Sequence, residues 1–106
     1  MKLFIRRTAK NIDAILEYNP KTNTYKLLKG SKVSEHVSCS PKFRSSDSII
    51  KARSNGVVEN GVLTQDVTFN SASTAANFVT GTSTNGKLAW KDSRGIMLKE
   101  LQEKEN

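Results

Sequence analysis

The stretch NIDAILEYN, residues 11–19, constrains the fold more than any other part of the chain. Apolar side chains occupy every second position from its second residue: Ile12, Ala14, Leu16 and Tyr18. This period of two is typical of a strand with one buried face. The run before it, LFIRR, is a short apolar segment, and NPKTNTYKLLKG after it begins as a turn and continues as a strand. The first 30 residues therefore predict a three-stranded antiparallel meander.

The stretch 46–69 predicts a short helix followed by extended segments. In SSDSIIKARSNG, Ser46 or Asp47 can cap the first helical turn, and Gly56 is the expected left-handed stop. VVENGVL places an Asn-Gly pair between two apolar pairs, which predicts a tight hairpin. LTQDVTF alternates apolar and polar residues, which predicts another strand or an extended arm.

The segment FNSASTAANFVTG has the clearest helical pattern in the chain. Small apolar residues recur at the spacing of one helix face: Ala72, Ala75, Ala76 and Val79. Asn70 or Ser71 is a suitable N-terminal cap, and Gly81 is the expected stop. Because the side chains on this face are small, we expect the helix to approach the sheet or another helix closely.

The segment GTSTNGKLAW, Gly81–Trp90, begins with the spelling of a phosphate-binding loop. Such a loop needs a buried strand before it and a helix after it. Here a predicted helix comes first, and KLAWKD alternates Leu88 with Trp90 as a strand would. Leu88 also stands where the loop needs a Ser or Thr hydroxyl for magnesium. We therefore expect no nucleotide cofactor, and we interpret Asn85-Gly86 as a turn that leads into a strand.

Together these elements predict one α+β domain over residues 1–106. Its antiparallel sheet is the meander with one or two later strands, packed with two or three short helices. Met97, Leu98 and Leu101 are the predicted apolar contacts of the last helix, whose acidic end we expect to fray. The predicted divisions are a basic β-meander at 1–34, a loop at 35–45, a helix/strand/helix/strand half at 46–94 and the C-terminal helix at 95–106.

Net charge is the strongest functional signal in the sequence. The chain carries 17 Lys and Arg against 10 Asp and Glu, a formal balance of +7. Residues 1–53 hold 12 basic and 4 acidic side chains, whereas residues 54–106 hold 5 and 6. A basic lobe attracts polyanions and gives salt-dependent affinity for a phosphate backbone. The simpler interpretation, a basic face that only keeps the protein soluble, stays open.

Other features argue against several classes of function. No apolar run approaches the roughly 20 residues of a membrane span, and the apolar run in MKLFIRRTAK is too short for a secretory signal. We therefore expect a cytoplasmic location and no membrane association. His36 and Cys39 form an H-x-x-C spacing, but one His and one Cys are too few for a zinc site. We expect no metal, no cofactor and no catalytic residue.

An ordered series of residues resembles a known bacterial family. LLKGSKVS contains the lysine-glycine-serine-lysine segment of that family at residues 29–32. The later matches follow its small-residue helix and its Asn-Gly…Trp-Lys close: Phe69, Ser71, Ser73, Ala75, Ala76, Gly81, Ser83, Asn85, Gly86, Trp90 and Lys91. The series is similar to the domain-of-unknown-function family numbered four-three-five-seven, over nearly the whole chain. The sequence departs from it at Ala72, where members often have proline.

The resemblance implies a context rather than a reaction. Domains of this family are commonly found C-terminal to GIY-YIG-type endonuclease domains and in restriction-associated proteins. Their C-terminal half is similar to the RAMA domain, which is proposed to recognise modified DNA. Neither a GIY nor a YIG string occurs in these 106 residues, so no catalytic role carries over.

Charge and resemblance together predict a non-catalytic DNA-binding or DNA-targeting accessory domain. Lys and Arg neutralise phosphates, Asn pairs with a base edge, and Trp offers a stacking face. The residues predicted to contact DNA are Lys29, Lys32, Lys42, Arg44, Lys51, Arg53, Asn85, Lys87 and Trp90. For Trp90, core packing beside Leu88 is the competing interpretation. The competing function is a protein-interaction domain that docks onto a nuclease or methyltransferase through an exposed apolar patch.

Overall fold

The computed structural model describes residues 1–38 and 46–104. Over that part of the chain the strands are β1 (Lys2–Arg7), β2 (Ile12–Asn19), β3 (Thr24–Leu27), β4 (Val58–Glu59), β5 (Val62–Leu63) and β6 (Val67–Phe69). The helices there are α1 (Ser46–Arg53), α2 (Ala72–Thr80), α3 (Gly86–Ala89) and α4 (Leu98–Lys104). Elements of both kinds, with antiparallel strand pairing, confirm the predicted α+β class.

In the described residues, the main sheet has the strand order β1-β2-β3-β6, and β4 and β5 form a separate hairpin. The predicted meander is confirmed, since β1 pairs with β2 and β2 with β3 in antiparallel register. Asn11 and Asn23, both left-handed, lie in the two connections of the meander. The small hairpin turns at Asn60 and Gly61, whose φ angles of 53° and 77° suit the tight turn that this pair predicts.

The two faces of the main sheet differ because side chains alternate along each strand. We call one of them the inner face, and its residues are buried: Leu3, Ile5, Ile12, Ala14, Leu16, Tyr18, Tyr25, Leu27 and Phe69. Helix α2 contacts the sheet, and α1 and α3 contact α2. Helix α4 reaches the inner face through Gln102, whose Nε2 donates to the hydroxyls of Tyr18 and Tyr25 at 3.3 and 3.4 Å. The helices thus form one layer on the inner face.

Helix α2 has the predicted caps and the predicted buried face. The Ser71 hydroxyl accepts from the backbone N–H of Thr74, and Gly81 ends the helix with a φ of 71°. The four small apolar residues of the predicted face are buried, as is Phe78. This face lets α3 approach closely, because a Cβ on Gly86 would lie 2.2 Å from the carbonyl carbon of Ala72.

The prediction of a strand in KLAWKD is wrong. Residues 86–89 form the single-turn helix α3, which Asn85 caps by accepting from the N–H of Lys87 at 3.1 Å. Leu88 and Trp90 do not share a face, since Leu88 is 44% exposed and Trp90 is fully buried. Of the two topological arguments against a phosphate loop, one is confirmed, because helix α2 rather than a strand precedes Gly81, and the other is wrong, because a helix follows.

Two other segments differ in detail from the sequence prediction. LTQDVTF is not one strand, because its first residue ends β5 and its last three form β6 in the other sheet. The side chain of Asp66, between them, accepts from the backbone N–H of Lys29 at 2.8 Å. Helix α4 has the predicted buried contacts Leu98 and Leu101. None of the helices in the described ranges is long and apolar enough to cross a membrane.

Candidate functional site

Among the described residues, the structure does not gather the predicted contacts into one surface. Lys29 and Lys32 are exposed beyond the end of β3, where Lys32 bridges to Asp13 of β2. Lys51 is exposed on α1 and Lys87 on α3, both in the helical layer. Lys42 and Arg44 lie outside the described residues, as does Cys39. The described cations of the prediction are therefore divided between the sheet and the helical layer.

Arg53 has a structural environment rather than that of a phosphate ligand. Its Nη1 donates to the carbonyl of Ser34 at 2.6 Å, and its Nε to the carbonyl of Phe78 at 3.0 Å. Its Nη2 donates to the carbonyls of Phe78 and Val79, with the Val79 contact at 3.3 Å. Burial lowers the pKa of Arg53 to about 10, which leaves the guanidinium charged at neutral pH. These donors join α1 to the last turn of α2 and are engaged within the protein.

Trp90 cannot offer a stacking face, so its predicted place on a surface is wrong. The indole is fully buried, and its Nε1 donates to the carbonyl of Ala72 at 3.0 Å. The competing interpretation, core packing, is the observed one, although Leu88 does not accompany it. Asn85 is exposed, but its side-chain oxygen caps α3. Asn85 and Lys87 do lie together, at a groove of about 640 Å³ that Lys99 and Glu103 also line.

A group of cations, of which the sequence analysis identified only Lys32, lies on the outer face, the side of the main sheet opposite the helices. Cross-strand partners share a face, so the register places there Lys2, Arg6, Lys26, Lys32 and Lys91, together with the acidic residues Asp13 and Glu17. All of these side chains are exposed except Lys26, which is half-buried. We use "outer-face cations" for these five basic residues.

Lys91 joins the outer face because the chain returns to the edge of the sheet after α3. Its backbone pairs with that of Phe4, with N···O distances of 2.7 and 3.2 Å. No local pattern in the sequence predicts this pairing, because Lys91 lies 87 positions after Phe4. Lys2, Lys26, Lys32 and Lys91 form no ion pair with any residue in the described ranges. Their charges are therefore available to a ligand.

Arg6 is the outer-face cation with the most defined geometry. Its guanidinium carbon lies 4.6 Å from the ring centroid of Phe4, within range of a cation–π contact. Its Nε donates to Asp13 Oδ1 at 3.2 Å, and the side chain is still 63% exposed. Phe4 and its cross-strand neighbour Ile15 are half-buried at the centre of the face. The outer face thus combines charge with a small apolar patch.

Other described parts of the surface are weaker candidates for a binding site. A cavity of about 600 Å³ is lined by His36, Lys10, Glu35 and the end of α2, so its charged groups have both signs. Across the described part of the chain, no three His, Cys, Asp or Glu side chains are placed to hold a metal ion. The outer face is therefore the candidate site with the most consistent charge.

The fold and this surface define a small two-layer α+β domain with a basic open sheet face. The chain belongs to the family described as Domain of unknown function (DUF4357), whose model matches residues 4–102. This confirms the resemblance found in the sequence. No curated protein and no solved structure matched the chain.

Proposed function

We propose that this chain is a non-catalytic DNA-binding or DNA-targeting accessory domain, and that its outer face makes the contact. The observation that supports the proposal most is the charge of that face, where five cations accompany two carboxylates. Of those carboxylates, Asp13 is held by Arg6 at 3.2 Å, and Glu17 lies between Lys2 and Lys26 in the strand register. Phosphates would be bound mainly by the four outer-face lysines, which form no ion pair in the described ranges.

The resemblance to nuclease-associated domains extends this proposal to a biological setting. A cytoplasmic domain attached to, or acting with, a GIY-YIG nuclease or a restriction-modification protein would supply DNA affinity to its partner. The similarity to RAMA domains adds modified DNA as a ligand to compare with unmodified DNA. The outer-face lysines suit this role because backbone contacts position a protein on DNA independently of sequence.

The helical layer favours a second candidate, docking onto a protein partner. Ile50 on α1 and Leu88 on α3 are 48% and 44% exposed, and an exposed apolar surface is what a protein partner would contact. This layer is opposite the outer face, so a nuclease or methyltransferase could contact it while DNA occupies the sheet. The two candidates are separated by whether the chain alone binds DNA, since a domain that only docks onto a protein needs no DNA affinity.

Fluorescence anisotropy with labelled duplex and single-stranded DNA at low salt tests the proposal. The variant Lys32→Ala/Lys91→Ala removes two outer-face cations, and Lys51→Ala/Lys87→Ala removes two from the helical layer. We expect the first pair to weaken binding by about tenfold or more, because two phosphate contacts are lost. We expect the second pair, compared at about 0.1 M salt, to bind within about twofold of the unaltered chain, since charges beyond the Debye length of ~10 Å at that concentration are largely screened.

Two outcomes would contradict this proposal or its placing on the outer face. Absence of DNA binding by the unaltered chain at low salt would overturn the proposed function. Binding that is weakened only by the helical-layer pair would keep DNA binding and reject the outer face as its site. A comparison of adenine-methylated with unmethylated duplex, at one salt concentration, tests the modified-DNA extension separately.

A further inference from the structure

We infer that the outer face takes single-stranded rather than duplex nucleic acid, with one base stacked on the guanidinium plane of Arg6. This inference rests on the function proposed above and specifies its ligand. It is carried by the geometry around Arg6, by the placing of cations on both sides of it, and by the width of the open sheet.

Arg6 is held by two neighbours on the outer face and is still largely exposed. Phe4 lies beneath, with its ring centroid 4.6 Å from the guanidinium carbon, and Asp13 accepts from the Nε at 3.2 Å. With 63% of the side chain exposed, much of the Arg6 side chain stays accessible to a ligand while it contacts Phe4. Arg guanidinium planes stack on unpaired bases, and a plane already fixed loses little rotamer freedom on binding. Phe4 and Asp13 are therefore positioning residues, and Arg6 is the contact residue.

Cations flank this stacking plane in the sheet. Arg6 pairs with Asp13 across the strands, and Asp13 pairs with Lys32 on its other side. Lys32 therefore lies two strand spacings from Arg6, or roughly 10 Å at the usual spacing of about 4.8 Å. On the other side, Lys91 is the edge neighbour of Phe4. A cleft of about 200 Å³ lies beside Arg6 and is lined by Asp13, Lys32 and Asn11. Phosphate-binding cations on both sides of a stacking surface are the arrangement that grooves for single strands use.

A duplex fits this face poorly for two physical reasons. The bases of a duplex are stacked on one another, so none is free to stack on Arg6 unless it is unpaired at a cost. The major groove is about 12 Å wide and admits a helix or a two-stranded ribbon. The four strands of the main sheet span three intervals of about 4.8 Å, roughly 14 Å before side chains are added. The face is therefore too wide to enter the groove.

The test compares two conservative substitutions that both keep the positive charge. Arg6→Lys removes the planar group above Phe4. Arg94→Lys is the matched control, because Arg94 is 68% exposed and pairs with Asp92 at 2.8 Å, but shows no contact with an aromatic ring among the described residues. The ligands are a labelled single strand of about 12 nucleotides, its duplex, and an abasic strand of equal length. The abasic strand keeps the phosphates and lacks the bases.

We expect the unaltered chain to bind the single strand more tightly than the duplex. Arg6→Lys should weaken single-strand binding by about tenfold, the effect of losing one stacked base. The same variant should bind the abasic strand as the unaltered chain does, and Arg94→Lys should match the unaltered chain on every ligand. DNA and RNA strands share the chemistry that this site recognises, so both are measured. Tighter binding of RNA would support the inference and assign the domain to RNA.

The results separate this inference from the proposed function. If no nucleic acid binds at low salt, the proposed function fails and the inference fails with it. If single strand and duplex bind equally, or if Arg6→Lys and Arg94→Lys bind the single strand equally, the stacking inference is wrong while DNA binding stands. If Arg6→Lys loses the same factor on the abasic strand, its role is electrostatic and the inference is again wrong.

Discussion

Arg53 shows at the scale of one residue how charge can serve the fold. Its guanidinium donates to carbonyls at the end of α2 and to the carbonyl of Ser34, so it fastens α1 to two other segments. Arg53→Met keeps most of the aliphatic stem and removes the donors. We expect it to lower the free energy of unfolding by about 2–3 kcal/mol, the cost of losing hydrogen bonds from a charged group. Urea unfolding measures this.

The matched control for Arg53 is its neighbour Lys51. Lys51→Met removes the same charge from the same helix, but Lys51 is exposed, so we expect a change within about 0.5 kcal/mol. Equal denaturation midpoints for the two variants would contradict a structural role for Arg53.

Asp92 gives a prediction for how the stability of the fold depends on pH. The backbone N–H of Ile96, and then the side chain and N–H of Arg94, hold the pKa of Asp92 below its ordinary value of 3.8. A carboxyl group with a lowered pKa in the folded state stabilises the fold above its unfolded pKa and loses that contribution as the pH falls through the folded value. Asp92→Asn should therefore be less stable than the unaltered chain near neutral pH, with the difference shrinking below pH 3.8.

Thermal unfolding of both chains over a pH series checks the Asp92 prediction. Asn keeps an acceptor oxygen for the backbone N–H groups of Arg94 and Ile96, but it replaces Oδ2 by an NH2 that cannot accept from the Arg94 side chain, so only the pH-dependent part of the difference reports the charge. A stability difference that stays constant from neutral pH to well below 3.8 would show that the charge contributes nothing.

Residue type alone did not reveal which predicted contacts face solvent. The sequence predicted Arg53 as a phosphate contact because Lys and Arg neutralise phosphates. Its engagement depends on carbonyls that α2 leaves without partners in its last turn, about 25 residues away. The same holds for Trp90, which is buried because its indole finds the carbonyl of Ala72 on another helix. Both outcomes depend on tertiary contacts.

At the scale of elements, the packing of α3 on α2 depends on the absence of one side chain. A Cβ on Gly86 would lie 2.2 Å from the carbonyl carbon of Ala72 and 2.4 Å from the N of Ser73. Gly86→Ala should therefore destabilise the domain by about 1–3 kcal/mol, the usual cost of overpacking. In a helix without such a contact, the same change stabilises by up to about 1 kcal/mol. The sign of the change in urea unfolding decides the point, and a stabilised variant would refute the close approach.

The elements that could be predicted are those in which the apolar residues repeat with the period of a strand or of a helix over the whole element. Strand β2 alternates over eight residues, and α2 repeats over nine with caps at both ends. Helix α3 has only four residues, so two apolar side chains in KLAW fit a strand as well as a helix. The signal that could have found it is Asn85, whose side chain caps the helix. An Asn-Gly pair also signals a turn, and the preference for the turn led to the wrong element.

At the scale of the whole molecule, position along the chain is a poor guide to the charge of a surface. The sequence located the excess positive charge in residues 1–53, and three strands of the sheet do come from that half. The fold then engages Arg53 internally and moves Lys51 to the helical layer. It also brings Lys91 from the acidic half to the sheet edge beside Phe4. The candidate site is therefore formed by pairing between segments that are distant in the sequence.

The dependence of binding on salt should change with the face from which lysines are removed, and not with the half of the chain that carries them. Lys32→Ala/Lys91→Ala and Lys51→Ala/Lys87→Ala each take one lysine from each half and lower the net charge from +7 to +5. Counterion release depends on the phosphates actually contacted, with a slope of about −0.7 per contact on a single strand. The outer-face pair should therefore reduce the slope of log K against log salt by about 1.4, and the helical-layer pair should leave it unchanged. Anisotropy titrations over a salt series measure both slopes. Equal reductions would mean that net charge alone drives binding, without a defined face.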